Sequence, residues 1–385
     1  MHVAGTSWNK GMGGVGIAAR NNRFINTLNP ASVTARDTLS FMADFGLNGR
    51  ISTYREGDKK SVNTTFCIDD FVISFPMWNH TAFMLGLTPY SDVGYKVYTQ
   101  TMDVNTQGQS FLTNGKGGLY HLFAAAGVTL WNRLSLGAQA NYYFGNIVKS
   151  SSWAADDTSY QSFTYGDSLQ VNNVNARFGL QYEQPLGSSS KLTLGATYQL
   201  STKIFGYGNH YYSLGSYYRN RESKNLEGLR MGDQLGVGLS YKQADVWSVE
   251  VDYTRSNWTN SGFENVRGFS AMGILPFASS VGQNIRIGGE FTPNRSDIRY
   301  FLRRCTYRAG VYWDQSYYTV NGSHVNEWGI TAGMTIPVFR WYNGLSVGLE
   351  FGRKGLEASQ IKQTFFGFSL GMNVFDIWFQ KPKYE

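Results

Sequence analysis

The stretch Thr364-Phe365-Phe366-Gly367-Phe368-Ser369-Leu370-Gly371-Met372-Asn373-Val374-Phe375 alternates almost without a break. Phe366, Phe368, Leu370, Met372 and Val374 fall on one side of an extended chain, and Gly367, Ser369, Gly371 and Asn373 on the other, because successive strand side chains point to opposite faces. A helix needs apolar residues at a spacing near 3.6 instead. The period of two recurs upstream. Trp328, Ile330, Ala332, Met334 and Ile336 oppose Gly329, Thr331, Gly333 and Thr335; Leu345, Val347, Leu349 and Phe351 oppose Ser346, Gly348, Glu350 and Gly352. Trp247, Val249, Val251 and Tyr253 oppose Ser248, Glu250, Asp252 and Thr254, and residues 134–144, 192–200 and 235–241 read the same way. The chain is predicted to be all-β.

The polar face separates two all-β classes. A soluble sandwich buries its apolar faces against each other and turns many charges to water. Here the second face is mostly glycine, serine, threonine and asparagine, which suits the polar interior of a transmembrane barrel whose apolar face meets lipid. Composition agrees, since charged residues make up only 16% of the 385, aromatic residues another 16%, and there are 44 glycines. Disorder needs low hydrophobicity and high net charge, and this chain is 42% hydrophobic. A membrane-spanning helix needs about 18 apolar residues in a row, whereas the best run, 119–131, is short and broken by His121. The net charge of +7 comes without a sustained basic block, so nucleic acid is not an expected partner. Residues 1–20 lack the basic and apolar regions of a signal peptide.

Connection lengths point the same way. About fourteen antiparallel strands can be counted, beginning near Thr38, Asn63, Thr81, Gly117, Arg133, Val171, Lys191, Met231, Val246, Gln283, Leu302, Glu327, Gly344 and Gln363, and barrels of this class have even numbers. Every second junction is short (77–79, 131–133, 185–190, 242–245, 337–343), with 293–300 a longer turn on that side. Long loops are expected between them at 95–116, 147–170, 203–230 and 257–281. Trp78, Trp131, Trp247, Trp341 and Trp378 lie beside short turns or the final strand end, where an aromatic girdle belongs. This divides the chain into a non-alternating plug over residues 1–37, a barrel over 38–379 and a periplasmic tail over 380–385.

The candidate chemistry is sparse. Gly11, Gly13 and Gly16 formally spell a dinucleotide fingerprint, but no buried strand precedes it and no alternating helices follow. The five histidines have no metal-ligand spacing, and Cys67 and Cys305 are isolated. No cofactor or metal is expected. A loop base at His210 or His324 lacks any identifiable nucleophile, so the chain is not read as an enzyme. Strand parity turns Glu250, Asp252, Arg286, Glu290, Arg308, Asp314 and Glu350 toward the lumen. Pro89 interrupts the strand that carries Phe83, Leu85 and Leu87. Proline removes a ladder donor, so this strand either ends at Thr88 or bulges inward near Tyr90 and Gly94 and leaves an opening in the wall.

The glycine-rich Gly11-Met12-Gly13-Gly14-Val15-Gly16 followed by Asn29-Pro30-Ala31 resembles the N-terminal hatch of the FadL/TodX family of outer-membrane transporters, particularly its Bacteroidetes members. The resemblance implies a 14-stranded barrel in the bacterial outer membrane, a hatch, and a kinked third strand with a lateral opening for long-chain fatty acids and other hydrophobic compounds. The ligand would pass Phe24, Ile25 and Leu28 and leave beside Pro89, Tyr90 and Gly94. Passive uptake of hydrophobic small molecules is thus the first expected function, with outer-membrane lipid and a hydrophobic ligand as partners. The alternative is a non-transporting accessory or scaffold barrel of an outer-membrane protein secretion or assembly complex, as in PorV-like relatives, with envelope proteins as partners. The tail after Trp378 and Phe379, and a loop carrying Tyr207, Tyr211, Tyr212, Tyr217 and Tyr218, offer surfaces for such partners.

Overall fold

The computed structural model describes residues 3–37, 39–103, 106–153, 162–215, 218–266, 271–272, 275–338, 344–356 and 361–377. Fourteen strands form one closed antiparallel barrel. They are β1 (Ser40–Glu56), β2 (Lys59–Trp78), β3 (Thr81–Asp103), β4 (Thr106–Leu130), β5 (Leu134–Trp153), β6 (Phe163–Leu186) and β7 (Ser190–Gln199). Then come β8 (Asp233–Gln243), β9 (Trp247–Asn257), β10 (Val281–Phe291), β11 (Thr306–Val320), β12 (Ser323–Pro337), β13 (Gly344–Leu356) and β14 (Ile361–Ile377). Neighbours in sequence are neighbours in the sheet, and β14 returns to β1 from Ser40↔Ile377 to Glu56↔Ile361. Closure removes the two free edges that an open sheet would leave.

The faces are inverted relative to a soluble protein. Val249, Val251, Ile285, Ile287, Ile330 and Leu349 are all 40–49% exposed, whereas Glu250, Asp252, Arg286, Arg308 and Glu327 are 2–8% exposed. Apolar side chains coat the outside and ionisable ones are buried inside.

Two expected loops are instead strand. Residues 95–103 and 106–116 continue the β3–β4 ladder through Tyr95↔Gly115 to Asp103↔Thr106, and residues 147–153 and 163–170 continue β5–β6 through Ile147↔Leu169 to Trp153↔Phe163. So β4 begins at Thr106 rather than Gly117, and β6 at Phe163 rather than Val171. The apolar face that marks a strand in sequence fades there, but cross-strand pairs of aromatic, serine and threonine residues still stabilise a ladder. Residues 203–230 also contain two strands, Phe205–Leu214 and Tyr218–Asn225. The first pairs with the upper half of β6 and the second with the first. The barrel is therefore lopsided: β4 has 25 residues and β8 has 11. Beside β8 and β9 the wall is low, while β3–β6 rise past it by roughly ten residues, on the order of 30 Å.

On the short-turn side, Trp78, Trp131 and Trp247 are 70%, 82% and 39% exposed. Trp341 and Trp378 lie outside the described residues, as do Tyr217 and the whole of 380–385.

Candidate functional site

The N-terminal segment makes polar contacts with inward-facing side chains of the barrel wall. A one-turn helix, Ser7–Lys10, starts where Asn9 Oδ1 accepts from the Thr6 amide at 3.1 Å. Lys10 Nζ then makes an ion pair with Asp69 of β2, both side chains 7% exposed. Across the lumen, the Gly13 amide donates to Thr331 Oγ1 at 2.8 Å. Gly13 has φ +73°, and a Cβ there would lie 3.1 Å from the Val311 carbonyl oxygen, so both conformation and space require glycine. Its approach is matched by Gly310 and Gly288 in the wall, where a Cβ would run into the backbone of Met12.

Gly16 and Ile17 both donate their amides to Asp252 Oδ2, at 2.7 and 2.9 Å. Gln181 and Asn29 donate side-chain amides to the Ile17 carbonyl at 2.9 and 2.7 Å. Asn29 also caps the 3₁₀ helix Pro30–Ala35 by accepting from Ala31 N at 3.0 Å. The glycines 11, 13, 14 and 16 and the Asn29-Pro30-Ala31 turn thus lie against inward positions of β6, β9 and β12, among others.

The lumen charges sort into linked groups. Glu290 accepts from Trp8 Nε1 at 2.8 Å and Arg308 Nε at 2.9 Å, and the Arg308 guanidinium lies 4.8 Å from the centroid of Phe24. Arg286 pairs with Asp314 at 2.9 Å. Glu350 accepts from Arg50 Nη2 at 3.1 Å and from the Tyr312 hydroxyl. Glu327 receives Lys354 at 3.3 Å, with Arg50 at 3.8 Å. Among the described residues, Glu250 accepts from Ser240 at 3.4 Å, and its Oε2 has no hydrogen-bond partner.

Sequence reading passed over Lys10, Asp44, Arg50, Asp69, Asp70, Glu327 and Lys354. Asp44 and Arg50 share inward parity with Gly46 and Asn48. Asp69 and Asp70 break parity, and a β-bulge explains why: Gly46 pairs with Asp70 and Leu47 with Ile68. The extra residue lets both adjacent carboxylates face inward, at 7% and 2% exposure. An adjacent Asp-Asp inside an alternating run was the available signal.

The wall has a seam. Between β2 and β3 the ladder runs from Trp78↔Thr81 only to Phe71↔Leu87. Beyond it, β1 continues to pair β2 and β4 continues to pair β3, so two strand edges face each other without a ladder, joined by a 3.1 Å bond from Asn63 Nδ2 to the Gly94 carbonyl. β3 does not end at Thr88. Its register slips between Pro89 and Ser91, and Tyr90, the extra residue, packs edge-on against Tyr143 at 4.7 Å while staying 41% exposed. A Cβ on Gly94 would meet nothing within 4 Å.

The residues expected along one pathway occupy separate places. Phe24 stacks on Trp8 at 5.9 Å in a cluster with Met12, Val15 and Ala19. Ile25 belongs to another, with Met42, Val72, Met84 and Phe123. Leu28 is partly buried beside Gly16. Tyr90 contacts Tyr143, which belongs to a third cluster with Leu169, Val171, Ile204 and Trp258.

His121 stacks on Tyr143 at 4.5 Å and bonds Asn141 at 2.8 Å. His324 bonds the Ser316 carbonyl at 2.9 Å and His210 pairs with Asp167 at 2.8 Å. Among the described residues, no group of three His, Cys, Asp or Glu side chains could hold a metal ion.

Comparison with known proteins agrees with this architecture. The toluene transporter TbuX of Ralstonia pickettii superposes with TM-score 0.70 at 16% identity, over 97% of this chain and 98% of that one. The P. putida toluene transporter TodX gives 0.69 at 13% identity, over 99% and 100%. A Pseudomonas aeruginosa FadL homologue gives 0.61 at 14%, over 98% and 99%. At these identities the likeness concerns the fold, which is the FadL/TodX barrel. No curated protein matches the sequence. The BamG family profile matches residues 1–385, the entire chain, and the protein therefore belongs to the BamG family.

Proposed function

We propose that this protein is a bacterial outer-membrane barrel whose lumen is kept shut by residues 1–37 and which serves as a non-transporting, accessory member of an outer-membrane protein secretion or assembly complex. The single observation carrying this reading is the way the N-terminal segment is held. Lys10–Asp69, Gly13–Thr331, Gly16 and Ile17–Asp252, and Trp8–Glu290 anchor it to four separate parts of the wall. Releasing the segment would strand several buried charged groups at once, and an unpaired buried charge is costly. Membership of a family distinct in sequence from the hydrocarbon transporters supports the same reading.

Membrane placement rests on the inverted faces. A belt of Val, Ile and Leu outside a charged interior is stable in hydrocarbon and unfavourable in water. Trp78, Trp131 and Trp247 beside the short turns suit the periplasmic interface, which puts the tall β3–β6 wall outside the cell. Outer-membrane lipid then coats the barrel.

One observation favours a second reading, the uptake of a hydrophobic small molecule. The seam beside Tyr90 is an interruption of the wall, and unpaired strand edges do not sit bare in hydrocarbon. An apolar solute such as a fatty acid or a small aromatic would enter from the tall side and leave between β2 and β3. The deciding experiment is extraction from native membranes in mild detergent, followed by mass spectrometry of co-purifying proteins and bound lipids. Recovery in fixed ratio with other envelope proteins is the expected result. A lone barrel carrying an apolar molecule would overturn the scaffold reading in favour of uptake.

A further inference from the structure

The upper halves of β5 and β6 and the strand Phe205–Leu214 form a sheet whose inner face carries ordered rows of side chains. Lys149 pairs with Asp167, and Asp167 with His210; Ser151 pairs with Tyr165, and Tyr165 with Tyr212. Asp167 and His210 are also joined directly, Oδ1 to Nδ1 at 2.8 Å. Together with Phe163, these side chains line a cleft of about 390 Å³, within the usual range for small-molecule sites.

Phe163, Tyr165 and Asp167 share the parity of Leu169 and Val171, the next inward residues of β6. Those two belong to the packed cluster with Tyr143, Met231 and Trp258. The cleft is therefore a half-open cup on the inner face of the tall wall, next along β6 to that packed apolar cluster, and among the described residues none of the N-terminal segment lines it.

We propose that this cup is a binding site for a pyranose sugar. A pyranose presents an apolar C–H face, which stacks on an aromatic ring, and a rim of hydroxyls that each donate and accept. The cup offers both halves of that pattern: the rings of Phe163, Tyr165 and Tyr212, and beside them a row of ammonium donor, carboxylate acceptor and imidazole. A hydrocarbon would dry the charged row without replacing its water bonds. A phosphate would suit Lys149 but face the Asp167 carboxylate. The inference does not depend on whether the barrel transports or scaffolds.

The test is saturation-transfer NMR on the intact protein in lauryldimethylamine oxide, a detergent without a sugar head group. The probes are glucose, galactose, mannose and N-acetylglucosamine at millimolar concentration, and separately lipopolysaccharide. The expected result is signal on pyranose ring protons that weakens about tenfold or more in both Asp167→Asn and Tyr165→Ala, with both variants retaining the heat-modifiable gel mobility of a folded barrel. Signal from the free sugars assigns a soluble glycan. Signal from lipopolysaccharide alone, lost in the same variants, assigns a lipid-borne one. No signal with any probe, or signal unchanged in both variants, would overturn the proposal.

Discussion

At the scale of single residues, the ion pair between Lys10 and Asp69 is the contact with most at stake. Both partners are about nine-tenths buried, so removing one leaves the other uncompensated, at a cost of about 3–5 kcal/mol. Lys10→Ala is expected to lower the urea midpoint of the detergent-solubilised barrel and to open the N-terminal segment to limited proteolysis. Lys10→Met combined with Asp69→Leu should restore much of the loss, because the charge and its partner leave together. Protection equal to wild type in Lys10→Ala would mean that the pair does not anchor the segment.

A second residue, Asp297, works outside the barrel wall in the long connection between β10 and β11. Its carboxylate accepts from the amides of Tyr300 and Arg299, both at 2.8 Å, and meets Arg303 at 3.4 Å. The Tyr300 amide foremost, then those neighbours, holds its pKa below the ordinary aspartate range. A depressed folded-state value means that the stabilisation is present above the unfolded aspartate pKa and is lost as pH falls through the folded one. Hydrogen exchange at the Tyr300 amide should therefore quicken, relative to its intrinsic acid-dependent rate, only on the acid side of the ordinary aspartate value. Asp297→Asn should remove that pH dependence.

At the scale of elements, strand parity makes opposite predictions for adjacent positions. Val251 is 40% exposed in the middle of β9, and Asp252 is 2% exposed. In a bilayer, Val251→Arg should cost about 2–4 kcal/mol, the penalty for a midplane arginine on a lipid face, read as reduced folding into vesicles. Asp252→Asn leaves the lipid face alone and instead weakens the acceptor for Gly16 and Ile17, so its effect should appear in proteolysis of the N-terminal segment. Equal, negligible penalties would argue against lipid on the outer face.

The seam belongs to this scale too. Replacing Pro89 by Val and deleting Tyr90 removes the bulge residue and permits the β2–β3 ladder to extend. On the scaffold reading, recovery of partner proteins should be unchanged by this variant. Loss of growth on a hydrophobic carbon source, with the partners retained, would instead support uptake through the wall.

At the scale of the whole molecule, what was legible in the chain follows from distance. Period two, the polar second face and the alternation of short and long connections are local features, so residues a few positions apart suffice to declare an antiparallel barrel with apolar residues outside. The inward parity of Glu250, Asp252, Glu290 and Glu350 was visible for the same reason. The extension of β3–β6 was not, because beyond the apolar belt a ladder is stabilised by its neighbouring strand and leaves little periodic trace in either strand alone. The paired Asp69 and Asp70 were equally opaque, since a bulge is defined only by the strand opposite.

Side-chain alternation along one strand is thus enough to give the class of the protein: strands, their approximate number, and which face of each turns outward. It takes the folded barrel to bring Lys10 to Asp69, to let the N-terminal segment touch the wall at the glycines 13, 288 and 310, to part β2 from β3 at Phe71 and Leu87, and to set Lys149, Asp167 and His210 in one row. Each of these joins residues far apart in the chain, and such pairs are selected by closure of the barrel, by register and by the space left inside, none of which is encoded in the local spacing of residues.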